Sequence, residues 1–478
     1  MSAIESIVAS VLNIGADRLS GDLAYQSIPE WDSFAHVQLM LALENRLGIV
    51  VSNDLMLELN SLAAIKDYVA SVRSTLPSTP APAPVIASIP VCMPRATKPL
   101  GIHRGLSGVT FDHSRITQID AENGRLAYRG YNVNDLATHA SFEETIALLL
   151  DGELPDRPRL EYYSRELASL RNVPTSSLEL LGAMKFAHPM DALRTAVSAL
   201  SSQKTDENNK LSVADAGLSL IARVPTLIAA HHALRSNRNP TSPNPMLPHA
   251  QDFLRMLLGY DPTPELSRLI DQDLIVHADH SSNASAFAAR VAIGSGADVY
   301  GAITAGLAVF SGPLHGGAVE AALHQIDVIG SPERAADYVR ERLRLNLPVM
   351  GFGHRVYRGE DPRVQHFRDT ARQMSERAKD TAAFATVEAL VAAMQPSLRL
   401  GIGPNVDLYA GLVYRLMGLP DDLACAIFAA GRMPGFVAHI LEQHANNILI
   451  RPLLHYTGPS HRTLIPLQQR QTTASIGV

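Results

Sequence analysis

The chain reads as an all-α protein, on three observations. Apolar residues recur at helical spacing through most of its 478 residues, strand-like patterns are essentially limited to 109–117 and 124–128, and a proline-rich run divides the helical stretches into a small block and a large one.

In residues 1–74, Ile4, Ile7, Val8, Val11 and Leu12 make one apolar stripe, and Phe34, Val37, Met40, Leu41 and Leu47 make a second. Shorter segments over 53–59 and 61–72 complete a count of four helices. Residues 75–100 hold seven prolines and almost no charge, the composition of a semi-extended tether. At about 3.1 Å per residue, about twenty residues of such chain reach up to about 60 Å. Residues 101–478 form the third region, with helical patterns over 142–150, 278–308, 318–326, 332–345 and 423–443. The four prolines of 235–249 mark a surface loop, and the polar run from 466 marks a frayed end.

Hydrophobic residues make up 46% and charged residues 18%, which suits about two to three domains with sizeable cores. There is no long uninterrupted apolar run and no basic start followed by an apolar stretch, so the expectation is a soluble, cytoplasmic protein without a membrane partner. Only Cys92 and Cys425 are present, too few for a disulfide framework or a thiolate metal cluster. The net charge is −6, and residues 1–74, with nine acidic and four basic side chains, carry −5 of it. The near-neutral remainder argues against nucleic-acid binding, while the acidic small region suits docking on basic surfaces.

Three glycine-flanked strings carry titratable side chains: GPLHGGA around His315, MGFGHRVY around His354 and GPNVDLYAG around Asp407. Glycine beside such a side chain removes the Cβ that would hold backbone and substrate apart. Each string alone is weak, because a lone histidine in apolar sequence is more often a satisfied core residue. Metal ligation fails on spacing. His277 and His280 lack the carboxylate partner of an HExxH helix, and the adjacent His231 and His232 diverge on a helix, so no metal is expected.

Together and in this order, the three strings resemble the citrate synthase family. So do GLSGV and GRLAYRGY within 105–131, HPMDALR over 188–194, DHSSNAS over 279–285, DPR over 361–363, and GRMPGFVAHILEQ followed by LIRP. The resemblance spans nearly all of 101–478 and implies a large and a small helical domain, the small one over roughly 318–420. Condensing an acyl thioester with a ketone needs a base for a weakly acidic methyl group and a donor for the developing enolate oxygen. By the family's pattern Asp407 is the base, His315 donates to the thioester carbonyl, and His354 polarises the ketone of oxaloacetate. Both imidazoles act best when neutral, and water then hydrolyses the product thioester.

Guanidinium forks suit the two carboxylates of oxaloacetate. The resemblance places Arg363, Arg432 and Arg451 at the matching positions, with His280 as a further contact and Phe428 lining the pocket. Arg451 matches an arginine that reaches in from a partner subunit, which implies a homodimer. Arg358 and Arg399 roughly match contacts to CoA phosphates, although either also suits a solvated surface. Gly403 stands before PNVD, where the family usually has a bulkier residue. It either leaves room for a propionyl or longer acyl group or is only a loop glycine.

Residues 28–49, IPEWDSFAHVQLMLALENRLGI, with the helix that follows from Ser61, resemble an acyl carrier protein across 1–74. The resemblance implies a four-helix bundle carrying 4'-phosphopantetheine on Ser33, attached by a phosphopantetheinyl transferase. Phe34 replaces the leucine of the usual signature, and Asp32 or Ser33 as a simple helix cap is the alternative. For the whole chain the expectation is an acyltransferase that converts acyl to alkyl on transfer. It takes oxaloacetate with acetyl-CoA by default, or with a carrier-bound acyl thioester, and yields citrate or an alkylcitrate and free thiol in a specialised biosynthetic pathway. A 2-methylcitrate synthase using propionyl-CoA is one alternative, and a catalytically inactive dimeric scaffold for the carrier domain is another.

Overall fold

The computed structural model describes residues 2–15, 18–25, 27–28, 30–31, 33–47, 53–74, 102–106, 108–203, 211–345, 347–354, 356–357, 359–399, 401–460, 462–464 and 466. The tether, Asp32, Arg358 and the end from 467 lie outside the described residues. The described residues build two separate apolar cores.

The first core gathers Ile7, Val8, Leu12, Trp31, Leu39, Met40, Leu43 and Ile65 around the helices Ala3–Leu12, Ser33–Leu47, Asn53–Glu58 and Leu62–Ser74. A capping box between Ser2 and Glu5 opens the first helix, and Glu5 also pairs with Lys66 at 2.6 Å, tying the first helix to the last. The fully buried Trp31 donates its indole N–H to His36 Nδ1 at 3.0 Å, and the other nitrogen of that ring lies 2.9 Å from the Met56 carbonyl. The turn that enters Ser33–Leu47 is thereby pinned to the helix Asn53–Glu58.

The second core centres on Val213–Arg235 and Asp421–Ala445. Both are long and apolar enough to cross a membrane, yet 78% and 100% of those apolar windows are buried inside the protein. Burial on all sides explains why neither helix shows a polar face. Five further helices, Ala318–Ile329, Ala335–Arg344, Gln365–Ala378, Ala382–Leu398 and Val406–Leu416, pack chiefly on one another.

Two local expectations are corrected. The strand expected over 109–117 begins only at its last residue: the antiparallel sheet is Thr117–Asp120, Arg125–Tyr128 and Tyr131–Asn132, with Asp120 opposite Arg125 and Thr117 opposite Tyr128. Before it, among the described residues, only the Ile116 carbonyl pairs across, accepting the Arg129 N–H at 2.8 Å, and Phe111 packs edge-on against Phe287 with ring centres 5.0 Å apart. The helical pattern over 278–308 is two helices, Ala284–Gly294 and Val299–Phe310, following Pro264–His277.

The break at 278–283 has identifiable causes. Ser281 adopts a φ of 52°, and the Asn283 side chain accepts the N–H groups of Ser285 and Ala286 to start the next helix. In the last helix Gly435 donates its N–H to the Ala278 carbonyl at 3.0 Å. A Cβ there would stand 2.3 Å from that oxygen, so only glycine lets the break lie against the helix.

Candidate active site

The break displays Asp279, His280 and Ser285. Asp279 is fully buried and accepts the Thr117 hydroxyl at 2.5 Å and the Ser281 N–H at 2.8 Å. Burial pushes its carboxyl up, but the His439 imidazole and the Arg432 guanidinium prevail and hold it well below the usual range. The buried His280 ring lies 4.9 Å from that of His354, and its Nε2 is 3.1 Å from the Tyr357 hydroxyl. Burial, aided by the Arg363 charge, pushes His280 well below the ordinary histidine value.

His315 sits in the turn after Val299–Phe310, with its N–H on the Gly312 carbonyl at 2.9 Å and its Nε2 2.8 Å from Ser285 Oγ. The two following glycines are required by close approach. A Cβ at Gly316 would meet the Phe310 ring at 2.5 Å, and one at Gly317 would meet the Ser311 carbonyl at 2.7 Å. Burial, with Arg432 nearby, pushes His315 down to about 4, so the ring is neutral at physiological pH.

His354 is oriented by main chain instead. Its Nδ1 accepts the N–H of Val356 at 3.0 Å and of Tyr357 at 3.3 Å, which puts the ring proton on Nε2. Burial, reinforced by Arg363, pushes this ring also down to about 4. Its loop is laced to 402–405: Gly353 donates to the Gly403 carbonyl at 2.8 Å, Asn405 to Gly351 at 2.9 Å, and Asp361 to Pro404 at 3.1 Å. A Cβ at Gly403 would fall 2.5 Å from the Gly359 carbonyl oxygen. The space beside Gly403 is therefore filled by backbone, which favours the loop-glycine alternative over extra room for an acyl chain.

Asp407 lies in the first turn of Val406–Leu416, and its carboxylate has no hydrogen-bond partner among the described residues. A helix start should favour the charged form. Burial wins, and with the neighbouring Asp361 charge outweighs Arg363, so the carboxyl is pushed up to about 7. The buried Arg363 forms a fork with Asp361, at 2.9 and 2.7 Å. Arg432, 4% exposed, donates to the His277 carbonyl at 2.6 Å and stands 5.6 Å over the Phe310 ring. One turn earlier, the buried Phe428 stacks on the His277 ring at 4.0 Å.

His280, His315, His354, Arg363, Asp407 and Arg432 thus share one region, joined by ring contacts and by the reach of two guanidinium charges. Arg451 does not join them within its own chain. It is exposed on the irregular segment after the last helix, without an ion pair among the described residues. Arg399 is an exposed C-cap of Ala382–Leu398, and Arg358 lies outside the described residues. Ser33 opens its helix, and its side chain also lies outside the description. Ser285, Tyr357 and Asp361 were inside the quoted strings but had no role assigned from sequence; their signal was adjacency to the histidines and Arg363. Among the described residues no three His, Cys, Asp or Glu side chains gather to hold a metal ion.

A helical protein that joins a carboxylate of raised pKa to neutral buried imidazoles and guanidinium groups is built for acid–base work on an anionic compound. More specifically, the chain belongs to the citrate synthase family: the family model described as citrate synthase, C-terminal domain, matches residues 105–453. Citrate synthase 2 of Bacillus subtilis is 37% identical over 374 residues, covering 77% of this chain and 99% of that protein. 2-Methylcitrate synthase 2 of Corynebacterium glutamicum is 36% identical over 377 residues, covering 77% and 98%. Among solved structures, the ternary complex of carboxymethyl coenzyme A and oxaloacetate with citrate synthase from Thermoplasma acidophilum superposes with a TM-score of 0.74 at 31% identity, covering 77% of this chain and 99% of that one.

Proposed function

We propose that the chain condenses an acyl-CoA, by default acetyl-CoA, with oxaloacetate and releases citrate or an alkylcitrate and free CoA. The observation that carries this reading is Asp407: an unpartnered carboxylate pushed up to about 7, in the field of the same Arg363 and Asp361 charges that act on the neutral His354. Such a carboxylate takes a proton at neutral pH without being wholly protonated beforehand. The acyl methyl proton passes to Asp407 while His315 donates to the thioester oxygen. The Ser285 hydroxyl, which donates to Asn283 Oδ1 at 2.7 Å, also lies 2.8 Å from His315 Nε2 and holds the ring in place for that donation. The enolate carbon attacks the ketone, whose oxygen receives the Nε2 proton of His354. Arg363, Arg432 and His280 hold the carboxylates, and water cleaves the thioester.

An exposed, apolar final segment, with Leu453 and Leu454 85% and 98% exposed, supports a homodimer in which Arg451 completes the partner's site. The corynebacterial relative supports propionyl-CoA and 2-methylcitrate as a second donor and product. For residues 1–74, four helices and a local charge of −5 support a carrier modified on Ser33 by a phosphopantetheinyl transferase. The group would supply a flexible thiol that presents an acyl thioester. A thiol-release assay with oxaloacetate and a panel of acyl-CoAs tests the synthase; no release with any donor, free or carrier-loaded, rejects it. Intact mass after incubation with a transferase and CoA tests the carrier, with one arm gained and Ser33→Ala abolishing the gain.

A further inference from the structure

Tyr357 ends the MGFGHRVY string, and nothing in the reaction above uses it. Its side chain is 1% exposed and stands against both imidazoles of the ketone side, with ring centres 4.6 Å from His354 and 5.5 Å from His280. Its backbone N–H orients His354, and its hydroxyl meets His280 Nε2 at 3.1 Å. We propose that Tyr357 is a positioning residue whose hydroxyl fixes the tautomer of His280, so that Nδ1 carries the proton offered to a carboxylate of oxaloacetate. This deepens the functional reading and rests on it.

The argument is a proton count. A tyrosine hydroxyl has one proton, and burial pushes the phenol up, so that proton stays on oxygen. Among the described residues the hydroxyl has no second partner, so the only acceptor for its proton is His280 Nε2. Burial keeps His280 neutral, with a single ring proton. If Nε2 receives, that proton sits on Nδ1, which has no hydrogen bond among the described residues and remains available to a ligand. The other tautomer would aim an N–H at the hydroxyl oxygen and leave the hydroxyl proton buried without an acceptor, the costlier arrangement. Tyr357 thus orients both rings, His354 through its main chain and His280 through its side chain. Only the second is open to mutation.

Tyr357→Phe keeps the ring and the main-chain N–H and deletes only the hydroxyl. In steady-state kinetics on the full-length protein, KM for oxaloacetate should rise about five- to tenfold, kcat should fall by less than about threefold, and KM for acetyl-CoA should not move. Unchanged oxaloacetate KM, or equal losses in kcat and in both KM values, overturns the proposal. Nitrogen-15 spectra of histidine-labelled protein give a readout that needs no turnover: one His280 tautomer in the parent, a mixture in the variant. An unchanged spectrum overturns the tyrosine's role by itself, whereas a parent enzyme inert with every donor overturns the functional reading instead.

Discussion

In the loop around His315 the ring is oriented by a side chain, the Ser285 hydroxyl at 2.8 Å, and the backbone is pressed against Phe310 through Gly316. In the loop around His354 the ring is oriented by main-chain N–H groups, and the backbone is laced to 402–405 by hydrogen bonds. Both rings end pushed down to about 4 by burial, yet each is held by a different kind of partner. Burial alone makes an imidazole neutral; which nitrogen keeps the proton is a separate matter of local partners. A side-chain orienter is also open to single-residue deletion, which a main-chain one resists.

The largest expected effect falls on the proposed base, whose helix follows the segment laced to the His354 loop. Asp407→Asn should lower kcat by about 10²- to 10⁴-fold while calorimetry still detects oxaloacetate binding. Activity near the parent level would remove Asp407 from its role as the base.

Next comes the lacing. Gly403→Ala drives a Cβ into main chain, which cannot swing aside, so stability should fall by about 1–3 kcal/mol in chemical denaturation. The ratio of acetyl- to propionyl-CoA turnover should hold; a shift toward acetyl-CoA would restore the acyl-room reading of this glycine.

Ser285→Ala sharpens the contrast between the loops. It should reduce kcat about tenfold, the scale of one lost orienting hydrogen bond to a catalytic group, with KM for oxaloacetate unchanged. Equal loss in both parameters would mean the hydroxyl supports the whole site rather than His315.

The smallest effect is on stability against pH. Burial raises the Asp407 pKa from 3.8 to about 7, so the group's stabilising contribution is full below about 3.8 and is lost as pH rises through about 7. Asp407→Asn should therefore gain in melting temperature relative to the parent between pH 4 and pH 8, and a flat difference would refute the raised pKa. Parent kcat/KM should climb with pH over the same limb, as the base form appears.

Much of this was legible in the residues. Helical periodicity located several helices, among them the last long one, but not Val213–Arg235 or Ala382–Leu398, and the strings around His315, His354 and Asp407 carry groups that fall in one region. The strand near 109–117 was misplaced because Phe111 packs on Phe287 instead, and a strand exists only where a partner's register allows it. The break at 278–283 was hidden because it depends on Gly435, more than a hundred and fifty positions away along the chain. At Gly403 the sequence left acyl room and a plain loop glycine both open, and only the neighbouring backbone at Gly359 shows what stands beside it.

The order of residues alone determined which chemical groups are present, where glycine removes a Cβ beside them, and which family pattern they match, because those are covalent facts of the chain. Tertiary structure decided that burial pushes Asp407 up to about 7 and His315 and His354 down, and that Ser285 and Tyr357 stand beside histidines. Desolvation and hydrogen bonding act over a few ångströms in space, and segments far apart in the chain become neighbours at that range only on folding.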